Sequence, residues 1–124
     1  MPNKWDTAER VPPLGTRKIY AFDVSKSGSL SGQRILADLQ SPEKGAVDGM
    51  KLDERGNIYS TGPGGVWVIN KTGEHLGTIV APEIPANCGW GDADYRTLYL
   101  TAPKSVYRVR ANVRGKKTYR TAAK

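Results

Sequence analysis

At 124 residues the chain is long enough for one domain with a core, and its 14 glycines and 8 prolines favour short strands joined by turns. The formal net charge of +7 gathers toward the C-terminal end without a nucleic-acid-binding motif, so we expect no nucleic-acid partner. No segment approaches the roughly 18 apolar residues of a membrane span. Residues 1–15 also lack the apolar stretch of a secretion signal, so we expect no membrane partner and, by default, a cytoplasmic location.

The first predicted elements form a hairpin. Residues 1–16 are polar and contain prolines, and they are expected to form a loop or an incomplete strand. The runs KIYAFDV (18–24) and RILADL (34–39) are the two strands of the hairpin. The loop SPEKGA (41–46) then carries the chain to the next unit.

The central unit, VDGMKLDERGNIYSTGPGGVWVI (47–69), contains three predicted strands. Met50 and Leu52 alternate with polar neighbours, which is the period of a half-buried strand. Two β-prone runs, IYST and VWVI, follow across turns that contain glycine. The remaining strands are predicted at 76–80, 97–101 and 105–109, and the basic tail 116–124 is expected to fray.

A repeat relates these strands. The pattern of an aliphatic residue, tyrosine, any residue and threonine occurs at 58–61 and again 40 positions later at 98–101. Val66 and Val106 are separated by the same distance, and IYAF (19–22) lies 47 positions before VWVI. A four-stranded unit of this length has the size of a β-propeller blade. The sequence therefore predicts an all-β fold of about ten short antiparallel strands, in two complete blades and part of a third.

Two polar residues occupy similar places in this repeat. Asp48 and Asn87 each stand before the first strand of a unit, 39 positions apart. Because the innermost strand of a blade lines the channel of a propeller, both side chains are expected at the same rim. On the residues alone, Asp48 also suits an Asx-type turn before Gly49, and Asn87 suits a hydrogen bond that opens its strand.

Several stretches together resemble the senescence marker protein/gluconolactonase family of six-bladed β-propellers. They are DGMKLDERGNIYSTGPGGVWVINKTGEHLG, NCGWGDADYRTLYLTA and SVYRVRANVRG, with IYAFDV and GSLSGQRILADL upstream. This resemblance, over residues 17–115, implies hydrolysis of sugar lactones such as gluconolactone with one divalent cation, calcium or zinc, in the central channel. By the same resemblance, Asp48 matches the metal-binding aspartate that also handles the water proton, and Asn87 is a candidate pocket residue.

The resemblance also indicates what is missing. The family's other metal ligands, a glutamate near its N-terminus and an asparagine in a middle blade, precede the matched region, and no residue here matches them. We therefore expect an incomplete portion of a six-bladed propeller, a truncated fragment that hydrolyses lactones only when the missing blades complete it. The alternative is a non-catalytic fragment that serves as a binding or assembly module. Open blade faces beside 17–45 and 88–115 are expected to favour self-association.

Four other residues carry side chains that could take part in catalysis or bind a ligand, and for each of them we expect a structural role instead. Asp53 and Asp92 are expected to be solvated or to cap turn backbone. His75, the single histidine, is placed in an exposed polar turn, so a serine–histidine triad has no base. Cys88, the single cysteine, is expected to be a small buried strand residue rather than a nucleophile.

The large aromatic residues are assigned to packing between blades. The four residues concerned are Tyr59, Trp67, Trp90 and Tyr99. A sugar-binding platform is the alternative interpretation for them.

Overall fold

A computed structural model describes residues 17–118, and the predictions for residues 1–16 and 119–124 lie outside this range. The described residues form nine strands and no helix, so they contain no helix that could cross a membrane. The strands are β1 (Lys18–Val24), β2 (Leu30–Asp38), β3 (Met50–Leu52), β4 (Ile58–Gly62), β5 (Gly65–Ile69), β6 (His75–Ile79), β7 (Asn87–Gly91), β8 (Thr97–Thr101) and β9 (Val106–Arg110).

The strands form three antiparallel sheets in which each strand pairs with the next one along the chain. The first sheet is β1–β2, the second is β3–β4–β5–β6 and the third is β7–β8–β9. The pairing Gly62↔Gly65 closes the tight turn between β4 and β5. Gly65 has φ of 150° there, and a Cβ would lie 2.1 Å from the Ile79 carbonyl oxygen, so only glycine fits. The all-β prediction is confirmed.

The expectation of two complete four-stranded units is wrong for the described residues, of which only the second sheet has four strands. After β9 the chain turns back toward the second sheet instead of adding an outer strand to the third. Gly115 donates its N–H to the Tyr95 carbonyl and forms an isolated bridge with Asp53, and Lys116 donates its N–H to the Leu52 carbonyl. The contacts with Leu52 and Asp53 join the segment after β9 to the end of β3 and the turn that follows it, and the bond to Tyr95 joins this segment to the turn between β7 and β8.

Two apolar clusters join the sheets. Between the first and second sheets, Trp67 lies in a cluster whose other buried members are Ile19, Ala37, Leu39, Ile58 and Ile69. Between the second and third sheets, Tyr59 and Trp90 meet edge to face with ring centroids 5.0 Å apart. Their cluster also contains Val66, Cys88, Leu98 and Leu100. The packing interpretation is therefore confirmed for Tyr59, Trp67 and Trp90.

The outward face of the third sheet is polar. The Asp92 carboxylate accepts hydrogen bonds from the Thr97 and Tyr99 hydroxyls, and these bonds lower its pKa. Arg110 binds Asp94 through both of its terminal nitrogens, at 3.0 and 2.6 Å, and lowers the pKa of that carboxyl to about 2. Asp92 is solvent-exposed as predicted. Tyr99 does not lie between described sheets, so its assignment to packing between blades stays a prediction.

The outward face of the first sheet is apolar. Tyr20 pairs with Ile35 and Val24 pairs with Leu30 across the hairpin, and Phe22 lies between them on β1. These five side chains are 40–67% exposed. The open apolar surface expected at both ends of the array is therefore concentrated at one end, on β1 and β2.

Candidate functional site

Asp48 lies in the loop that leads from β2 into β3, and one buried hydroxyl holds this loop. The backbone N–H groups of Asp48 and Gly49 donate to Thr61 Oγ1 at 2.9 and 3.1 Å. The same hydroxyl donates to the Ala46 carbonyl at 3.0 Å, and the Thr61 N–H donates to the Gly49 carbonyl at 2.9 Å. Thr61 is fully buried in β4. The backbone on both sides of Asp48 is therefore fixed to the second sheet.

The Asp48 side chain is exposed, and no described residue forms a hydrogen bond or an ion pair with its carboxylate. An Asx-type turn would need this carboxylate to accept a backbone N–H shortly after it in the chain. Within residues 17–118 that bond is absent, so the Asx-type interpretation is not supported. A carboxylate on a fixed backbone and without a protein partner is available to a cation or a proton.

Asn87 begins β7 and lies directly against the same loop. A Cβ built on Gly49 would lie 2.0 Å from Asn87 Oδ1 and 2.4 Å from its Cγ, so the two residues are in contact. The Asn87 Oδ1 accepts the N–H of Cys88 at 2.8 Å, which is the strand-opening bond considered for it. The structure thus brings Asn87 next to the residue that follows Asp48, across the junction of the second and third sheets. Its role in a pocket stays a prediction.

The described residues do not form a complete cation site. They contain no group of three or more histidine, cysteine, aspartate or glutamate side chains that could hold a metal. A hard divalent cation takes about six or more oxygen ligands. Asp48 offers one free carboxylate, and the Asn87 amide oxygen nearby is already used by Cys88. The donor set in this part of the chain therefore fits a contribution to a cation site and not the whole of one.

The carboxylate of Asp53, in the turn after β3, has all of its hydrogen-bonding partners within the protein. Its carboxylate accepts hydrogen bonds from the backbone N–H groups of Arg55 and Asn57, from the Asn57 amide and from the Tyr59 hydroxyl. The expected capping of the turn is confirmed. The alternative, a solvated side chain, is excluded because Asp53 is fully buried, with the Tyr59 hydroxyl on its carboxylate and its backbone bridged to Gly115.

His75 is exposed as expected, but it begins β6 instead of lying in a turn. The Asn70 side chain closes the preceding turn by accepting the N–H groups of Thr72 and Glu74, so the strand starts at the next residue. The imidazole stacks on Trp67 with ring centroids 3.7 Å apart. This stack occupies the outer strands of the second sheet. Two open surface pockets lie near these strands, and neither is lined by Asp48 or Asn87.

Cys88 is a buried residue of β7, as predicted, with 5% of its surface exposed. Burial raises the pKa of its thiol, which keeps it in the less reactive protonated form. Its Sγ contacts the Tyr59 carbonyl oxygen at 3.5 Å. This environment is that of a packing residue and not of a nucleophile.

Comparison with known proteins identifies the relatives of this chain. The family model described as SMP-30/Gluconolactonase/LRE-like region matches residues 15–104. A gluconolactonase of Zymomonas mobilis is 38% identical over 104 residues, which are 78% of this chain and 29% of that protein. The solved structure of a Xanthomonas campestris gluconolactonase superposes with a TM-score of 0.63 at 27% identity, over 80% of this chain and 30% of that one.

A second solved structure, that of a luciferin-regenerating enzyme, has a TM-score of 0.73 at 24% identity, over 82% of this chain and 41% of that one. At this identity the likeness concerns the fold alone. The chain thus spans less than half the length of each of these relatives. Its three sheets are blades of an incomplete propeller, as predicted. Because the family model matches most of its length, the chain belongs to the SMP-30/gluconolactonase/LRE-like family.

Proposed function

We propose that this chain contributes the Asp48 carboxylate to the hydrolysis of a sugar lactone in a complete propeller. The observation that carries the proposal is the combination of a fixed backbone and a free side chain. Asp48 is hydrogen-bonded through its N–H to buried Thr61, while its carboxylate is exposed and has no described partner. The similarity to a gluconolactonase supplies the substrate class.

The reaction needs a group that handles protons. Water adds to the lactone carbonyl carbon, the ring carbon–oxygen bond breaks, and the proton lost by water must be accepted before the ring oxygen receives one. A carboxylate within hydrogen-bond reach of that water can accept the proton. Asp48 is suited to this role because none of the described side chains competes for its oxygens.

One divalent cation, calcium or zinc, is part of the proposal. Asp48 would be one of its ligands, and the remaining oxygens would have to come from outside the described residues, since these offer no complete donor set. When bound, such a cation supplies Lewis acidity at a carbonyl oxygen. A lone carboxylate holds a hard cation weakly, so we expect the described blades alone to be inactive.

The test is a chimeric propeller in which residues 17–118 replace the matching blades of the Zymomonas mobilis gluconolactonase. Gluconolactone hydrolysis is followed in a pH-stat with calcium or zinc added. Asp48→Ala should lower kcat about a hundredfold or more, the usual range for a lost acid–base group. His75→Ala is the matched control and should leave kcat nearly unchanged, because His75 lies in the outer strands. Full activity of Asp48→Ala with added cation would overturn the proposal.

A second candidate function is a non-catalytic assembly module. The observation in its favour is the apolar outward face of β1 and β2, where five large side chains are 40–67% exposed. The partner would be a second copy of the chain, joined through this face. One purified sample distinguishes the two candidate functions. A dimer that does not hydrolyse the lactone, even when blades that complete the ring are supplied, favours the assembly module.

A further inference from the structure

We propose that Thr61 is the positioning residue for Asp48, an inference that rests on the function proposed above. Thr61 would act through the loop and without touching substrate. Its hydroxyl reaches three backbone groups of residues 46–49 within a span of 2.9–3.1 Å. No other described side chain forms a hydrogen bond with the backbone of Asp48 or Gly49.

The hydroxyl of Thr61 is used to its full capacity. A threonine hydroxyl has one proton to donate and two lone pairs to accept with. Here the proton goes to the Ala46 carbonyl, and the lone pairs take the N–H groups of Asp48 and Gly49. A valine has almost the same shape but would leave all three groups without this partner. The loss of these three hydrogen bonds would destabilise residues 46–49, the segment that carries the Asp48 carboxylate.

A contact from the third sheet holds the other side of the loop. Asn87 lies against Gly49 so closely that any Cβ at this position would collide with it. Gly49 is therefore held between β4 and β7, with Thr61 binding both its N–H and its carbonyl oxygen. All of these contacts involve the backbone of the loop, so they fix the position of Asp48 and leave its carboxylate free of hydrogen bonds from the described residues. Catalytic groups need to be held within about 0.5 Å of their working position.

The other hydroxyls of the repeat do not make this arrangement. Thr101 occupies the matching position 40 residues later, but it is exposed and reaches only the Asn87 carbonyl, at 3.4 Å. Ser60 and Thr97 are as fully buried as Thr61. Ser60 bonds the Thr61 carbonyl, and Thr97 bonds Asp92 and Arg110 on the far face of the third sheet. The three-point contact with the Asp48 loop thus belongs to Thr61 among these residues.

The experiment compares Thr61→Val, Thr61→Ser and Thr97→Val in the full chain. Thr97→Val is the matched control, since it removes an equally buried threonine hydroxyl that touches no residue of the loop. Amide hydrogen exchange at Asp48 and Gly49 is measured by NMR, and urea unfolding is recorded for each variant. Thr61→Val should speed exchange at these two amides about tenfold relative to other amides of the second sheet, and Thr61→Ser should restore protection.

Three results would overturn the inference: wild-type protection in Thr61→Val, no rescue by Thr61→Ser, or an equal loss in Thr97→Val. The amide measurement does not depend on hydrolysis, so it stands if the proposed function fails. In the chimeric propeller, Thr61→Val should lower kcat about tenfold to a hundredfold with a smaller change in KM. Unchanged kcat in Thr61→Val, in a chimera that Asp48→Ala inactivates, would remove the positioning role while leaving the proposed function intact.

Discussion

Replacement of Asp53 by alanine should be the most damaging change to a polar side chain in the described structure. The Asp53 carboxylate is fully buried and accepts four hydrogen bonds, at 2.8 to 3.1 Å. They shape the turn between β3 and β4 and anchor the Tyr59 hydroxyl. The same turn receives the returning chain, because the Glu54 N–H donates to the Arg114 carbonyl. Loss of this one side chain therefore loosens two connections between the second and third sheets.

The size of the destabilisation by Asp53→Ala depends on which hydrogen-bond donors can bind water once the carboxylate is removed. Arg55 is exposed and Asn57 is half-buried, so water can replace much of what their groups lose. The Tyr59 hydroxyl is buried and keeps its desolvation penalty, about 1–3 kcal/mol. With the lost charge-assisted bonds to the turn, the free energy of unfolding should fall by about 3–4 kcal/mol. Domains of ordinary stability hold about 5–15 kcal/mol, so this is a large share.

The assay is urea unfolding followed by tryptophan fluorescence, since Trp67 and Trp90 both lie in buried clusters. Tyr59→Phe should cost about 1 kcal/mol in the wild-type chain. In the Asp53→Ala background it should instead raise the free energy of unfolding, because it removes a buried hydroxyl that has lost its partner. Asp92→Ala, in the equivalent but exposed turn, is the control and should shift the midpoint much less. A wild-type midpoint for Asp53→Ala, or an equal shift for Asp92→Ala, would refute the reasoning.

Three further predictions use the same purified chain. Burial and the adjacent Asp53 carboxylate raise the pKa of Tyr59 from 10.0 to about 12, so the unfolded chain loses this proton first. The free energy of unfolding should therefore fall between pH 10 and 12, and fall less steeply in Tyr59→Phe; parallel curves would contradict this. The Cys88 thiol should react with a disulfide reagent only when the sheets separate, at a rate that rises with urea; fast reaction without urea would show that this junction is open. Sedimentation should detect self-association that Phe22→Ser and Val24→Ser weaken, whereas a wild-type monomer at high concentration would exclude the apolar face as a contact.

Local sequence chemistry accounts for most of the strands. The predicted strands at 58–61 and 66–69 appear as Ile58–Gly62 and Gly65–Ile69, because β-branched and aromatic residues there fit both faces of a covered sheet. The return strand of the first hairpin was predicted from residue 34, but β2 begins at Leu30. Its early part is polar and contains glycine, so it lacks a strand pattern. Pairing with β1 extends it nevertheless, down to Val24↔Leu30.

The candidate site was predictable only in part. The spacing of Asp48 and Asn87 indicates that they occupy similar places, and the structure puts Asn87 against Gly49. The role of Thr61 was missed, although the threonine that follows each I/L-Y pair was visible as part of the repeat. Its hydrogen bonds join residues 12 to 15 positions apart, and no local pattern encodes which loop a buried hydroxyl will meet. Burial of Asp53 was missed for a similar reason, since the segment that bridges to its backbone is distant in sequence, at Gly115.

The same aspartate–tyrosine pair occurs twice, and its contribution to stability depends on whether a neighbouring sheet covers it. Asp53 with Tyr59 and Asp92 with Tyr99 both place a carboxylate after an inner strand and a phenol on the next strand. The first pair is covered by the third sheet, and burial raises the pKa of its tyrosine to about 12. The second pair has no described sheet over it and stays in contact with solvent. A blade packed on that outward face would bury the Asp92–Tyr99 pair, so completion of the propeller should make Asp92→Ala more destabilising than it is in this chain, and the same urea assay on the chimeric propeller measures the difference.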